Sequence, residues 1–266
     1  MGTIGFIGVG NMGGGMVKSL LSADFSVVAY DTDEDKLSEL QSLGVEGVKS
    51  ASEVAKRCSV VIVCLPNPSA SKEVIFNQLV GDDNVTTIIE TSTLTPEIVT
   101  DFAKQLGELE KRFISAPMIG GKNDAASGKI EFLVEGKEAH YKESLQLFET
   151  MGKARYMGDI PSATLAKLTF NLCRYANLAV AVEAYRLLRQ YGANTEAIHK
   201  FMSKKSLDNF GQVWSEDMKD MMTKDVAFKP SQVPKKDLAL LSEMAEAHNV
   251  DPKIIKAIRD TYLSME

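Results

Sequence analysis

Short apolar runs recur along the first 160 residues, each followed by a stretch whose apolar positions fall three or four apart. The runs at 3–8, 25–30, 59–65, 86–90, 112–114 and 130–134 are rich in Val, Ile and Phe and predict strands. Between them Asn11 to Ala23, Asp33 to Leu43, Ser52 to Arg57, Ser71 to Leu79, Pro96 to Leu109 and Ala139 to Met151 carry the helical period. Thr95-Pro96-Glu97 supplies a capping residue and a proline at the first helical position. Strands alternating with helices predict a parallel sheet covered on both faces through right-handed crossovers.

The texture changes after Pro161. Ser162 to Gln190 contains no proline or glycine and predicts one long, mostly apolar helix closed by Gly192. Helical segments follow at Thr195 to Met202, Gly211 to Thr223, Lys235 to His248 and Pro252 to Met265, with no strand among them. The expectation is a doubly wound α/β domain at 1–161 and an all-helical domain at 162–266.

The first strand runs directly into Gly8-Val9-Gly10-Asn11-Met12-Gly13. A glycine pattern alone is weak, but here Ile4, Phe6 and Ile7 precede it, and Met16, Val17, Leu20 and Leu21 follow at helical spacing. In that context Gly8 lets the chain turn, Gly10 lets the backbone approach a pyrophosphate, and Gly13 lets helix and strand pack closely. The N–H groups of the helix start, through Asn11 and Met12, face the phosphates. Such a unit is the Rossmann dinucleotide-binding arrangement. The second strand ends at Asp31, where an acid meets the adenosine ribose.

Bulk properties restrict the partners. The chain has 266 residues, a net charge of −6 and no basic run, which argues against nucleic acid and acidic membrane surfaces. No apolar run is long enough to span a bilayer, and a strand beginning at once argues against a secretory leader, so a cytoplasmic location is expected. Cys58, Cys64 and Cys173 lack metal or CxxC spacing; Cys64 and Cys173 read as reduced core residues. His140, His199 and His248 lie on separate segments, so no metal site is expected. Trp214, Phe228 and the Met218, Met221 and Met222 group read as packing or cleft lining.

Lys167 carries the clearest chemical signal. It is the one charged side chain between Asp159 and Arg174, set among Leu165, Ala166, Leu168, Phe170 and Leu172. An unpartnered buried ammonium is expensive, so the lysine should find a partner or line a polar cleft. Desolvation would lower its pKa and suit it to donate and accept a proton. Asn171 lies one turn on, within reach to orient it. A lysine snorkelling at a domain or subunit interface fits the same pattern, and the helix alone leaves both uses open.

Five short motifs, in order, resemble the β-hydroxyacid dehydrogenase family, which includes 3-hydroxyisobutyrate dehydrogenase, tartronate semialdehyde reductase and the cofactor domain of 6-phosphogluconate dehydrogenase. They are Gly8 to Gly13, Glu90-Thr-Ser-Thr-Leu-Thr-Pro96, Ala116-Pro-Met-Ile-Gly-Gly121 with Gly128, Lys167 with Asn171, and Lys236-Asp237-Leu238. The resemblance implies reversible hydride transfer between a nicotinamide and a small β-hydroxy acid or its semialdehyde. Lys167 would be the general acid and base. Ser92, Gly120 and Gly121 would hold the substrate carboxylate, and Asn171 would orient substrate or lysine. Leu65, Pro66, Thr93 and Lys236 would touch the cofactor. The family's helical domains form subunit contacts, which implies a homodimer or homotetramer.

Three departures bear on the substrate. Ile119 stands where the family has a serine before the paired glycines, Ser115 stands for an aspartate, and Pro161 and Ala163 replace glycines ahead of the lysine. A less polar carbonyl or an imine is therefore an alternative substrate, and a non-catalytic cofactor sensor an alternative role, although a sensor needs no lysine at 167. Four acids between Asp31 and Asp35, with no arginine, favour NAD over NADP, because a 2′-phosphate would meet like charge.

Overall fold

A computed structural model describes residues 2–190, 192–205, 219–224, 233–247 and 252–264. Trp214, Met218, Phe228 and His248 lie outside the described residues, as does most of the helix expected at Gly211 to Thr223. The chain forms two compact units, Met1–Lys167 and Leu168–Glu266.

In the first unit β1 (Ile4–Ile7), α1 (Asn11–Ser22), β2 (Val27–Tyr30), α2 (Glu34–Gln41), β3 (Glu46–Gly47), α3 (Ala51–Ala55) and β4 (Val60–Val63) follow in order. Next come α4 (Pro68–Val74) with a π-helical turn at Ile75–Leu79, β5 (Thr87–Glu90), α5 (Pro96–Glu108) and β6 (Arg112–Ser115). The strands order as β3-β2-β1-β4-β5-β6, all parallel. Beyond β6 the direction reverses. The strand β8 (Ile130–Gly136) runs antiparallel to both β6 and β7 (Met118–Ile119), and β9 (Gly152–Gly158) runs parallel to β8. The helices α6 (Lys122–Ala126) and α7 (Glu138–Met151) complete the unit.

The alternation of side chains along each strand builds two cores. Ile4, Phe6, Ile62 and Ile89 face α1, α2 and α7 through Met16, Leu20, Leu37 and Phe148. Ile7, Val61, Val63 and Ile88 face α3, α4 and α5 through Val54, Val74, Val99 and Phe102. Near-continuous apolar strands are the mark of a sheet buried on both faces.

The expected strands and helices of this unit are present, but β3, β7, β9 and α6 escaped the pattern. Glu46–Gly47 and Met118–Ile119 are too short to show a period, and β9 (Gly-Lys-Ala-Arg-Tyr-Met-Gly) lies at an edge where none of its side chains is fully buried and Lys153 and Arg155 stay exposed. The parallel expectation therefore holds through β6 and is corrected at the far edge.

The helix α8 (Ser162–Gln190) has the bounds its composition predicts, and Gly192 follows it at φ +63, with the Ala193 N–H donating to the Leu188 carbonyl. The second unit holds α9 (Thr195–Lys205), α10 (Lys219–Lys224), α11 (Val233–Ala247) and α12 (Lys253–Leu263). Its core joins Leu168, Tyr175, Leu178 and Val182 of α8 to Leu238 and Leu241 of α11 and Tyr262 of α12. Cys173 is a correction: it lies on the exposed face of α8, while Cys58 is buried and Cys64 half-buried. No helix among the described residues is long and apolar enough to cross a membrane.

Candidate functional site

The loops after β1, β4 and β5 leave the same edge of the sheet, their first amides bonding across to the neighbouring strand: Gly8 to Tyr30, Cys64 to Ile7, Thr91 to Val63. Chain order reverses between β1 and β4, and ligands of open α/β sheets bind outside the strand ends at such a point. A cavity of ≈ 580 Å³ opens there. Its wall includes Gly8, Gly10, Asn11, Met12, Gly13 and Asp31, and, from the β4 loop, Leu65 and Pro66.

Close approach explains two of the glycines. A Cβ on Gly13 would lie 1.9 Å from the Gly8 carbonyl oxygen, and one on Gly8, at φ +90, would lie 2.2 Å from the Cys64 carbonyl oxygen. Gly10 differs: a Cβ there meets nothing within 4 Å, so its face looks onto open space. Helices α2, α3, α4 and α5 each have a side chain accepting from the first turn, namely Asp33, Ser50, Asn67 and Thr95. The helix α1 has none, and no acid in its first turn. Its free N–H groups and positive end suit a pyrophosphate at that spot.

Asp31 stands at the end of β2 with both oxygens engaged. Oδ2 accepts from the Val9 N–H at 2.6 Å and Oδ1 from the Asp33 N–H at 2.8 Å. Each oxygen keeps a lone pair for a ribose hydroxyl. Lys36, which the density of acids in this stretch obscured, also lines the cavity. Its ammonium pairs with Asp33 at 2.7 Å, which holds the Asp33 carboxyl below and the Lys36 amine above their ordinary values.

Ser92 is buried, and its hydroxyl oxygen accepts from the Leu65 N–H at 2.8 Å and from the Ser71 hydroxyl at 3.3 Å. Its own amide donates to Glu90 at 2.6 Å. This side chain fastens the β5 loop to the β4 loop and sets Leu65 on the cavity wall. Thr93 is half-buried and lies outside that wall. Gly120, at φ +136, and Gly121 are exposed before α6, and the Gly121 N–H already donates to Asp124 at 2.7 Å. A substrate carboxylate using that amide must displace Asp124.

Lys167 is half-buried on α8, next to the fully buried Leu168. One turn before it, Glu135 of β8, also fully buried, meets the start of the helix. The N–H groups of Ala163 and Thr164 donate to its Oε2 at 2.6 and 3.2 Å, and the Thr164 hydroxyl donates to Oε1 at 2.6 Å. Burial pushes the Glu135 carboxyl above its ordinary value, with hydrogen bonds from Thr164, Ser115 and Ala163 opposing. A proton held more tightly in the folded state stabilises fully below the ordinary value of 4.5, and the contribution is lost as pH rises through the raised value. Relative to Glu135→Gln, the wild-type protein should therefore lose stability as pH climbs from 4.5, measured by urea midpoints at matched pH.

Within the second unit, Asn171 is buried and its Nδ2 donates to Asp237 Oδ2 at 2.6 Å. The Tyr175 hydroxyl donates to the same oxygen at 3.2 Å; burial and the Asp237 charge raise the Tyr175 pKa. Lys236 is one-third exposed, its ammonium 3.7 Å from Asp237. The contribution of Asp237, which fixes Asn171, had no signal beyond the Lys-Asp-Leu motif. Among the described residues no group of three or more His, Cys, Asp or Glu side chains could hold a metal.

Residues 3–159 match the family model of the NAD-binding domain of 6-phosphogluconate dehydrogenase. The chain is 29% identical over 218 residues to the mitochondrial 3-hydroxyisobutyrate dehydrogenase of Mus musculus, covering 80% of this chain and 64% of that protein. It thus spans less than two thirds of that relative's length. The Drosophila melanogaster protein of the same name is 27% identical over 259 residues, 92% of this chain and 78% of its own. Among solved structures, a Mycobacterium tuberculosis 3-hydroxyisobutyrate dehydrogenase with L-serine gives a TM-score of 0.86 at 22% identity, over 99% of this chain and 93% of that one. That likeness shows the fold.

Proposed function

The chain belongs to the family of the 6-phosphogluconate dehydrogenase NAD-binding domain, and we propose that it is an oxidoreductase moving a hydride between NAD(H) and a small β-hydroxy acid or its semialdehyde. One observation carries this: the open, uncapped start of α1 at Gly10, on a cavity whose wall also includes Asp31 and the β4 loop residues Leu65 and Pro66. The relatives named 3-hydroxyisobutyrate dehydrogenase supply the substrate class.

When bound, the dinucleotide supplies or accepts the hydride. The α1 amides hold its pyrophosphate, Asp31 its adenosine ribose, and Leu65 and Pro66 pack on it. During reduction the Lys167 ammonium gives its proton to the carbonyl oxygen and offsets the charge growing there; during oxidation the neutral amine takes the proton back. The Gly120 and Gly121 loop and Ser92 receive the substrate carboxylate, and Asn171, fixed by Asp237, orients the reacting oxygen.

NAD is the preferred cofactor, because Asp31 and Glu73 outweigh Lys36 on the cavity wall and a 2′-phosphate would face them. Calorimetric titration should give tighter binding of NADH than NADPH, and Asp31→Ser should cut that preference at least about tenfold. Equal affinities in both proteins would sink the assignment of Asp31.

The deciding experiment is an NADH-oxidation screen over malonate, methylmalonate, tartronate and succinate semialdehydes. Turnover with one of them supports the proposal; tight NADH binding without turnover on any carbonyl would leave a cofactor sensor. A cytoplasmic location belongs to the same proposal, as does a homodimer or homotetramer, the assembly being supported by Phe201, Ile254 and Leu263 exposed on the helical unit.

A further inference from the structure

Glu135 has no part in that scheme, yet it is a carboxylate with no exposed surface, placed at the head of the helix that bears Lys167. On β8 the residues Ile130, Phe132 and Val134 point into the apolar core, so Glu135 points to the opposite face. There it meets Ser115 across the antiparallel β6–β8 pair. On its other flank the register with β9 slips: Val134 pairs with Tyr156, but Glu135 pairs with Gly158, so Met157 is extra. A bulge of this kind re-aims side chains and bends its strand. The strand then ends at Gly158, φ +101, only a few residues before α8 begins.

Burying a carboxylate is costly unless donors surround it. Four donors do so: the Ala163 and Thr164 amides, the Thr164 hydroxyl and the Ser115 hydroxyl. The amides are two of the orphan N–H groups of the α8 start, satisfied here by a side chain 28 residues away in sequence rather than by a local cap. Lys167 follows Ala163 by four residues and Thr164 by three, so all three lie on one stripe of the helix. Two of the sequence departures meet at this point: Ser115 and Ala163 are both Glu135 donors.

We infer that Glu135 is the positioning residue for Lys167, its buried carboxylate clamping the first turn of α8 and so setting where the lysine amine stands. This rests on the proposed role of Lys167 and is separable from it. The clamp needs an acceptor of carboxylate shape. A glutamine retains an oxygen for both amides and offers its NH₂ to the Thr164 hydroxyl, whereas an alanine takes the acceptor from all four donors.

The test compares wild type, Glu135→Gln, Glu135→Ala and Thr164→Val in the full chain by three readouts. The first is hydrogen exchange at the Ala163 and Thr164 amides. The second is the titration of Lys167, followed by NMR after reductive ¹³C-methylation. The third is NADH turnover, with kcat and KM separated. The expected result for Glu135→Ala is amide exchange at least about tenfold faster, a displaced Lys167 titration and a kcat at least about tenfold lower, at unchanged KM for NADH. The glutamine variant should stay within about threefold of wild type in each, and Thr164→Val should fall between. Unchanged exchange and Lys167 titration in both Glu135→Ala and Thr164→Val would overturn the inference. So would a kcat loss equal to the unfolded fraction. If Glu135→Ala does not fold, the Thr164→Val and glutamine results decide. A wild-type protein without turnover, but with the exchange and titration changes intact, would refute the proposed activity and leave the clamp standing.

Discussion

Lys167→Ala should lower kcat by about 10²–10⁴-fold, the range of a lost general acid and base, while NADH affinity changes less than about twofold. The asymmetry follows from position. The cavity wall built by the glycine loop, Asp31, Leu65 and Pro66 does not include the lysine, so binding survives its removal. Lys167→Arg separates charge from proton transfer: it keeps the cation, but a guanidinium does not deprotonate in the working range. It should be nearly as impaired as the alanine variant. Steady-state rates with fluorescence titration of NADH check both, and unaltered turnover in Lys167→Ala would refute the role.

The second large effect lies in the glycine loop, where two substitutions of identical chemistry should both weaken NADH binding but differ sharply in stability. Gly13→Ala drives a Cβ to 1.9 Å from the Gly8 carbonyl oxygen. The clash is with backbone and the fully buried Phe6 ring lies 3.0 Å away, so nothing can yield easily, and the variant should lose at least about 3 kcal/mol, with NADH binding abolished. Gly10→Ala places the same methyl in open space, at a φ of −61 that any residue adopts. It should unfold within about 0.5 kcal/mol of wild type, as surface changes do, yet bind NADH at least about tenfold more weakly because the methyl occupies the pyrophosphate's place. Chemical denaturation and calorimetric titration of the two proteins suffice. A Gly10→Ala protein with full affinity would remove the phosphate cradle from the argument.

Legibility in the sequence depended on how local the cause was. The strand β1, the glycine loop and α1 announce themselves between Ile4 and Ser22, since turn, close packing and helix period all act between near neighbours. The helix α8 was equally plain, its 29 residues lacking any breaker. The strand β9 was not: its alternating Lys153 and Arg155 belong to an edge strand whose place is set by pairing with β8. Lys36 stood in view but was outweighed by Asp33, Glu34 and Asp35, and its place on the cavity wall beside Asp31 follows from the turn into α2. Ser92 was read as a substrate ligand; that its hydroxyl oxygen also accepts from Leu65 and Ser71, tying two loops together, had no signal in the spacing.

By itself the sequence determined the alternating α/β unit, the dinucleotide loop, the long lysine-bearing helix and the helical second unit, because each follows from short-range periodicity and the stereochemistry of glycine and proline. Only the tertiary structure decided what surrounds the chemistry: Glu135 at the head of α8 and Asp237 on Asn171. Those partners lie up to 66 residues apart or fall on elements with no period of their own. Burial selects them, since a polar group removed from water must find its donor or acceptor wherever the packed chain brings one.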